Sequence, residues 1–196
     1  MNSASFDEIQ KALSLFSVGI AGAGGLGSNC AAALVRSGIG KLVIADFDEV
    51  SISNLNRQFY FYHQIGMQKV HALKANLMAI GTQTYIDVYD IKLNENNIPT
   101  IFATCDVVVE AFDAAEMKQM LIETVLQKIQ NVPIVVGSGM AGWGNSNAIR
   151  MEQHDNIYVC GDQENAVSTV LPPLAPRVGM VANMQANQVL ELLLKR

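Results

Sequence analysis

Cysteine is scarce in this chain and never paired in sequence. Cys30, Cys105 and Cys160 are widely separated, with no C-x-x-C among them. Three thiols cannot build a four-thiolate zinc centre, and an odd, scattered set is no disulfide framework. Histidine is equally sparse, and His63, His71 and His154 do not have the spacing of a metal-ligand set. Positive charge is in deficit: 13 Lys and Arg face 18 Asp and Glu, for a net charge of −5 and a pI near 5.1. A protein that tracks phosphates along nucleic acid carries a basic patch, so nucleic acid is not expected as a partner. Long apolar runs are missing as well. None reaches the roughly 20 residues of a bilayer span, and the opening MNSASFDEIQKAL lacks the basic-then-apolar order of a signal peptide. The expectation is a cytoplasmic protein with no membrane partner.

What is present is apolar mass and glycine. Half of the 196 residues are hydrophobic, enough for one buried core and short for two, so a single domain over residues 1–196 is expected. An apolar run at 16–21 enters the glycine cluster 22–27, and the alanine-rich segment after it favours a helix. The β-rich KLVIA at 41–45 closes on Asp46, completing a strand–helix–strand unit of the kind that demands a parallel sheet. Further on, helical composition at 68–80, a strand at 85–89, the β-branched DVVVE at 106–110, a helix at 114–130 and PIVV at 133–136 keep the alternation going. Residues 144–161 are less regular, with room for a short strand or hairpin, and 176–195 read as a mostly buried helix. The fold class is α/β: a doubly wound, Rossmann-like, mostly parallel sheet with helices on both faces, binding ligands beyond the carboxyl ends of its strands.

Gly22, Gly24 and Gly27 satisfy G-x-G-x-x-G between strand and helix. Glycines there let the backbone turn tightly and approach phosphate oxygens near a helix N-terminus. Asp46, about twenty residues on at the end of the next strand, is positioned to accept hydrogen bonds from both ribose hydroxyls. To this point a nicotinamide dehydrogenase fits as well as an ATP enzyme. The loop DFDEVSISNLNRQ at 46–58 favours ATP: Arg57 offers a planar fork for phosphate oxygens, Lys69 a charge for the α-phosphate, and Asn54 an amide to orient an oxygen. Asp113, just past DVVVE, is placed to hold Mg²⁺, with Glu110 and Glu116 as competitors.

The order GAGGLGS at 22–28, DFDEVSISNLNRQ at 46–58, then Lys69, then Asp113, resembles the ThiF/MoeB/E1 superfamily, and PPLAPRVGMVANMQANQVLELLLK resembles its closing helix. The resemblance implies nucleotide contacts at Gly22, Gly24, Gly25, Gly27, Asp46, Asp48, Asn54, Arg57, Lys69 and Asp113. Arg57, Lys69 and Asp113 are the implied catalytic groups, with Asp113 on the magnesium side. The implied reaction is attack by a protein's C-terminal carboxylate on the α-phosphate of ATP, giving an acyl-adenylate and pyrophosphate. It further implies a carrier partner, a ThiS-type sulfur-carrier protein ending in Gly-Gly that serves thiamine thiazole biosynthesis, and a homodimer. Three departures stand out: no arginine precedes the glycine loop, the zinc-binding C-x-x-C pairs of many relatives are missing, and the chain lacks rhodanese-like or ubiquitin-transfer extensions. The pattern is most similar to the short, zinc-free ThiF-like subgroup. Cys160 is the candidate for a covalent link to the carrier, and the glycine-rich 137–145 loop, with Met140 and Trp143, for its docking surface. The alternatives are a molybdopterin-synthase-type carrier or small carboxylate, an NAD-binding oxidoreductase, and a non-catalytic scaffold.

Overall fold

The computed structural model of the chain describes residues 5–81 and 83–195. Its centre is one seven-stranded sheet in the order β3-β2-β1-β4-β5-β7-β6. These strands are β1 (Ser17–Ala21), β2 (Lys41–Asp46), β3 (Tyr85–Asp90), β4 (Val107–Glu110), β5 (Ile134–Gly137), β6 (Arg150–His154) and β7 (Ile157–Gly161). Every neighbouring pair is parallel except β6 with β7. The central strands read as near-continuous apolar runs because both faces are covered. Val18 and Ile20 of β1, Leu42 and Ile44 of β2, and Val107 and Val109 of β4 enter one core, while Ala21, Val43, Ala45 and Val108 enter the other.

The first core lies under α2 (Gly25–Ser37), α3 (Lys69–Met78) and α6 (Ala175–Leu194), and the second under α4 (Ile98–Ile101) and α5 (Ala115–Lys128). Helix α6 buries Val178, Val181, Val189 and Leu193, largely against α2. At roughly 1.5–3 kcal/mol for each fully buried aliphatic side chain, that stripe is a major source of cohesion. Consequently α6 is an internal helix, and its apolar face is spent within the chain.

The irregular 144–161 stretch resolves into the β6–β7 antiparallel hairpin on the sheet's edge. Two elements have no counterpart in the sequence reading: the four-residue α4, and α1 (Phe6–Leu13), whose start is the Ser5–Glu8 capping box. The functional consequence of the strand order is the switch between β1 and β4. The chain leaves β1 toward β2 and β3 on one side, then returns to lay β4 on the other, so a crevice opens beyond Ala21 and Glu110.

Candidate functional site

A cleft of about 800 Å³ occupies that crevice. Its floor is the turn from β1 into α2. Gly22 adopts φ +101°, and a Cβ there would meet the Ala111 carbonyl oxygen at 2.9 Å. At Gly27 a Cβ would sit 1.9 Å from the Gly22 oxygen, so no side chain fits without opening the turn. Gly27 therefore shapes the site from beneath, whereas Gly22, Gly24 and Gly25 line it. No side chain caps α2, whose first-turn amides and positive dipole end face the cleft. The buried Tyr60 hydroxyl donates to the Ala23 carbonyl at 2.7 Å and steadies the turn from behind.

Asp46 closes the cleft at the end of β2. One carboxylate oxygen accepts the Ala23 N–H at 2.6 Å and the other the Asp48 N–H at 2.8 Å, leaving a lone pair on each for a ligand. Burial pushes its pKa up, against the lowering effect of those two bonds and of the Lys69 charge. Lys69 opens α3, is 6% exposed, and holds its ammonium 2.7 Å from Asp48. The Arg57 stem lies over Gly25, and its backbone carbonyl accepts a bond from Asn29 of α2 at 2.9 Å. Its guanidinium rests on Ser53 O and Asn56 Oδ1. Asn54 stands outside the lining and uses its side-chain oxygen to accept the Ser51 N–H at 2.9 Å, closing a turn of 3-10 helix.

Asp113 is an exposed lining residue with no hydrogen bond or ion pair among the described residues. Its two rivals are elsewhere. Glu116 lies outside the lining, and Glu110 is fully buried, ion-paired with Lys118 and accepting the Phe112 N–H at 2.7 Å. Burial pushes the Glu110 pKa up while the Lys118 charge pulls it down. Lys118 also donates to the Gly137 carbonyl at 2.8 Å, joining the ends of β4 and β5. Beyond this pair the cleft continues along Gly137–Met140 and Asn165–Val167, and Trp143 stands nearby in the chain at 83% exposure.

The ThiF family matches residues 2–196. The chain belongs to the ThiF family. Among curated relatives, the molybdopterin-synthase adenylyltransferase of Haemophilus influenzae is 30% identical over 181 residues, covering 90% of this chain and 74% of that protein. Ubiquitin-like modifier-activating enzyme 5 of Caenorhabditis briggsae is 33% identical over 159 residues, 81% of this chain and 34% of the relative. The chain spans about half or less of the length of the first curated relatives it matches. Among solved structures, E. coli tRNA N6-threonylcarbamoyladenosine dehydratase in complex with ATP superposes with a TM-score of 0.87 at 18% identity, over 96% of this chain and 90% of that one.

As a ThiF family member the chain brings Gly22, Gly24, Gly25, Asp46, Asp48, Arg57, Lys69 and Asp113 to one cleft, across ninety residues of sequence. Cys160 is a correction to expectation. It lies on β7 with no exposed surface, and burial pushes its thiol up to about 12, the surroundings of a structural thiol rather than an activated one. Burial likewise pushes Cys30 up, with Cys160 as its neighbour. The sequence reading missed Tyr60 and Lys118, and also the buried ion pair between Asp162 and Arg177. Only the last left a trace in sequence, an arginine among small and apolar residues in the first turn of α6.

Proposed function

We propose that this chain is an ATP-dependent adenylyltransferase that activates the C-terminal carboxylate of a ThiS-type sulfur-carrier protein ending in Gly-Gly, for thiamine thiazole biosynthesis. The observation that carries the reading is the convergence of Asp46, Arg57, Lys69 and Asp113 around one glycine turn. In this reading Asp46 accepts the ribose hydroxyls, and the α2 amides take phosphate oxygens. Arg57 clamps the phosphates, and Lys69, released from Asp48, offsets charge on the α-phosphate as the carboxylate attacks. A carboxylate oxygen bonds to the α-phosphorus, the bond from that phosphorus to its bridging oxygen breaks, and pyrophosphate leaves with the electron pair. The attacking carboxylate is already ionised at neutral pH, so positioning and charge stabilisation suffice without a general base.

Asp113 is the open carboxylate of the cleft and would be the protein group to hold a Mg²⁺, which would supply positive charge to offset that of the phosphates. Among the described residues no three His, Cys, Asp or Glu side chains converge as a metal cage. The carrier tail enters along Gly137–Met140, beside Trp143. A homodimer belongs to the proposal, built on surfaces other than the buried face of α6, with residues 1–196 as one cytoplasmic adenylation domain.

A molybdopterin-synthase-type carrier is the second reading, favoured by the likeness to the molybdopterin-synthase adenylyltransferase of H. influenzae. ATP–pyrophosphate exchange with purified protein, Mg²⁺ and each carrier type, beside carriers lacking the Gly-Gly tail, tests both. Exchange that requires the intact tail and collapses in Asp113→Ala supports adenylation, and the better carrier names the partner. Tight NAD binding without ATP binding overturns both.

A further inference from the structure

The acceptor side of the cleft is built from two loops with little regular structure, and one buried ion pair holds both. Arg177, in the first turn of α6, is 3% exposed, and Asp162, just after β7, is fully buried. The guanidinium pairs with the Asp162 carboxylate through Nη2 and donates through Nη1 to the Gly144 carbonyl at 2.5 Å. Asp162 in turn accepts the backbone N–H groups of Glu164 and Asn165, each at 2.9 Å, and the Asn165 side-chain amide at 2.5 Å. Gly139 packs so closely that a Cβ would meet the Asp162 carboxylate at 1.9 Å, and its carbonyl accepts the Asp162 N–H at 3.1 Å. Thus one guanidinium–carboxylate contact fixes the loop that carries Met140 and Trp143, the 162–167 loop opposite, and the start of α6.

Stability alone is a weak reason for such a pair, because desolvating two charges consumes much of their attraction and apolar replacements are often neutral or better. The neighbours of Arg177 in α6, Val178 and Val181, are buried aliphatics. What a leucine there could not supply is a planar fork reaching two loops at once. Those loops need such a tie: Gly139, Gly142, Gly144, Asn145 and Gln163 all have positive φ, so local backbone preference does not hold them. Burial pushes the Asp162 carboxyl up, but the Asn165 and Glu164 bonds and the Arg177 charge outweigh it and hold the pKa below the usual carboxylate range.

We propose that Arg177 and Asp162 are positioning residues that preset the acceptor side of the cleft, fixing the Trp143 loop and the 162–167 loop to receive the carrier's tail. This rests on the adenylyltransferase reading. Neither residue lines the nucleotide side, so the pair governs carrier recognition and leaves ATP binding alone. Trp143 is the chain's single tryptophan, so its fluorescence reports this loop without labelling.

The test compares wild type with Arg177→Met, Arg177→Lys and Asp162→Asn in three measurements: ATP affinity by calorimetry, exchange kinetics with the Gly-Gly carrier, and time-resolved anisotropy of Trp143. The expected result is ATP affinity within about threefold, carrier KM raised at least about tenfold with kcat nearly kept, and added nanosecond motion at Trp143. Arg177→Lys, which keeps the charge but loses the fork, recovers only part of the carrier KM. Should Arg177→Met fail to fold, Asn165→Ala loosens the same carboxylate without stranding a buried charge, and raises carrier KM about threefold. Unchanged carrier KM and unchanged anisotropy in folded variants overturn the proposal, as does a loss of ATP affinity matching the loss of carrier affinity. If wild type exchanges with no carrier, the adenylyltransferase reading fails by itself. Trp143 anisotropy then decides whether the pair holds the loop: added motion with ATP binding intact supports the brace, and none overturns it.

Discussion

Replacing Lys69 by methionine removes one charge from the cleft with nearly constant side-chain volume, and the structure sets what should follow. The Lys69 side chain is 7% exposed and its ammonium is 2.7 Å from Asp48, whose own side chain is 51% exposed. An ion pair with one partner in water contributes at most about 1 kcal/mol, so the variant should unfold within a few degrees of wild type. Against phosphate the comparison differs. A charge at about 4 Å, at an effective dielectric near 20, interacts with roughly 4 kcal/mol, and removing one preorganised electrostatic contact typically costs ~2.7–4 kcal/mol of transition-state stabilisation. We therefore expect kcat for ATP–pyrophosphate exchange to fall about 10²–10³-fold, with ATP affinity weakened far less. The assay is exchange under saturating carrier, beside calorimetric ATP binding and thermal unfolding of the same preparations. A kcat loss below about tenfold in a folded, ATP-binding variant would refute the assignment of Lys69 to the α-phosphate. So would a loss traced wholly to ATP affinity.

Gly27→Ala should cost more than the ~1–3 kcal/mol of ordinary overpacking, because the new methyl meets backbone at 1.9 Å and cannot be relieved by a rotamer change; urea unfolding measures it. Asp46 should link ATP affinity to pH. Its pKa is raised by burial, so the folded state keeps this proton to higher pH than the unfolded chain, and its contribution to stability is lost as pH rises through the folded value. The ionised carboxylate accepts from both ribose hydroxyls, whereas the protonated acid turns one oxygen into a donor, so ATP affinity should rise with pH across that window, by at most about tenfold per pH unit, and the dependence should vanish in Asp46→Asn. Cys160→Ser should lower stability by about 1–3 kcal/mol, since a hydroxyl replaces a buried thiol, and wild type should form no thiol-sensitive adduct with the carrier on non-reducing gels; such an adduct, missing from a folded Cys160→Ser, would restore the covalent role.

Much of the framework was legible because its signals are local. Strand–glycine–helix at 16–37, the β-branched runs that became β2, β4 and β5, and the alternation of elements each depend on residues a few positions apart. The hairpin was harder to read, since β6 and β7 include the exposed Arg150, Met151, Gln153 and His154, with no clean alternation. Helix α4 is too short to show a period, and its Pro99 reads as a breaker although it sits at a position where a helix tolerates one. Among site residues, Asn54 illustrates the limit. Sequence marks it as a polar group in the right loop but does not say that its oxygen is turned back to Ser51.

By itself, then, the amino-acid order determined the fold class, the glycine turn and most of the candidate groups that line the cleft, because backbone preference and hydrophobic period are short-range properties. Only the tertiary structure decided which of those groups meet and which are already engaged. Strand order brings Asp113 across the crevice from Gly22, and the packing of α5 and β5 against β4 leaves Asp113 open while burying Glu110 against Lys118. It likewise sealed Cys160 inside the core and tied Arg177 to Asp162. Burial and ion pairing depend on what the rest of the chain packs against a residue, and no local pattern encodes that.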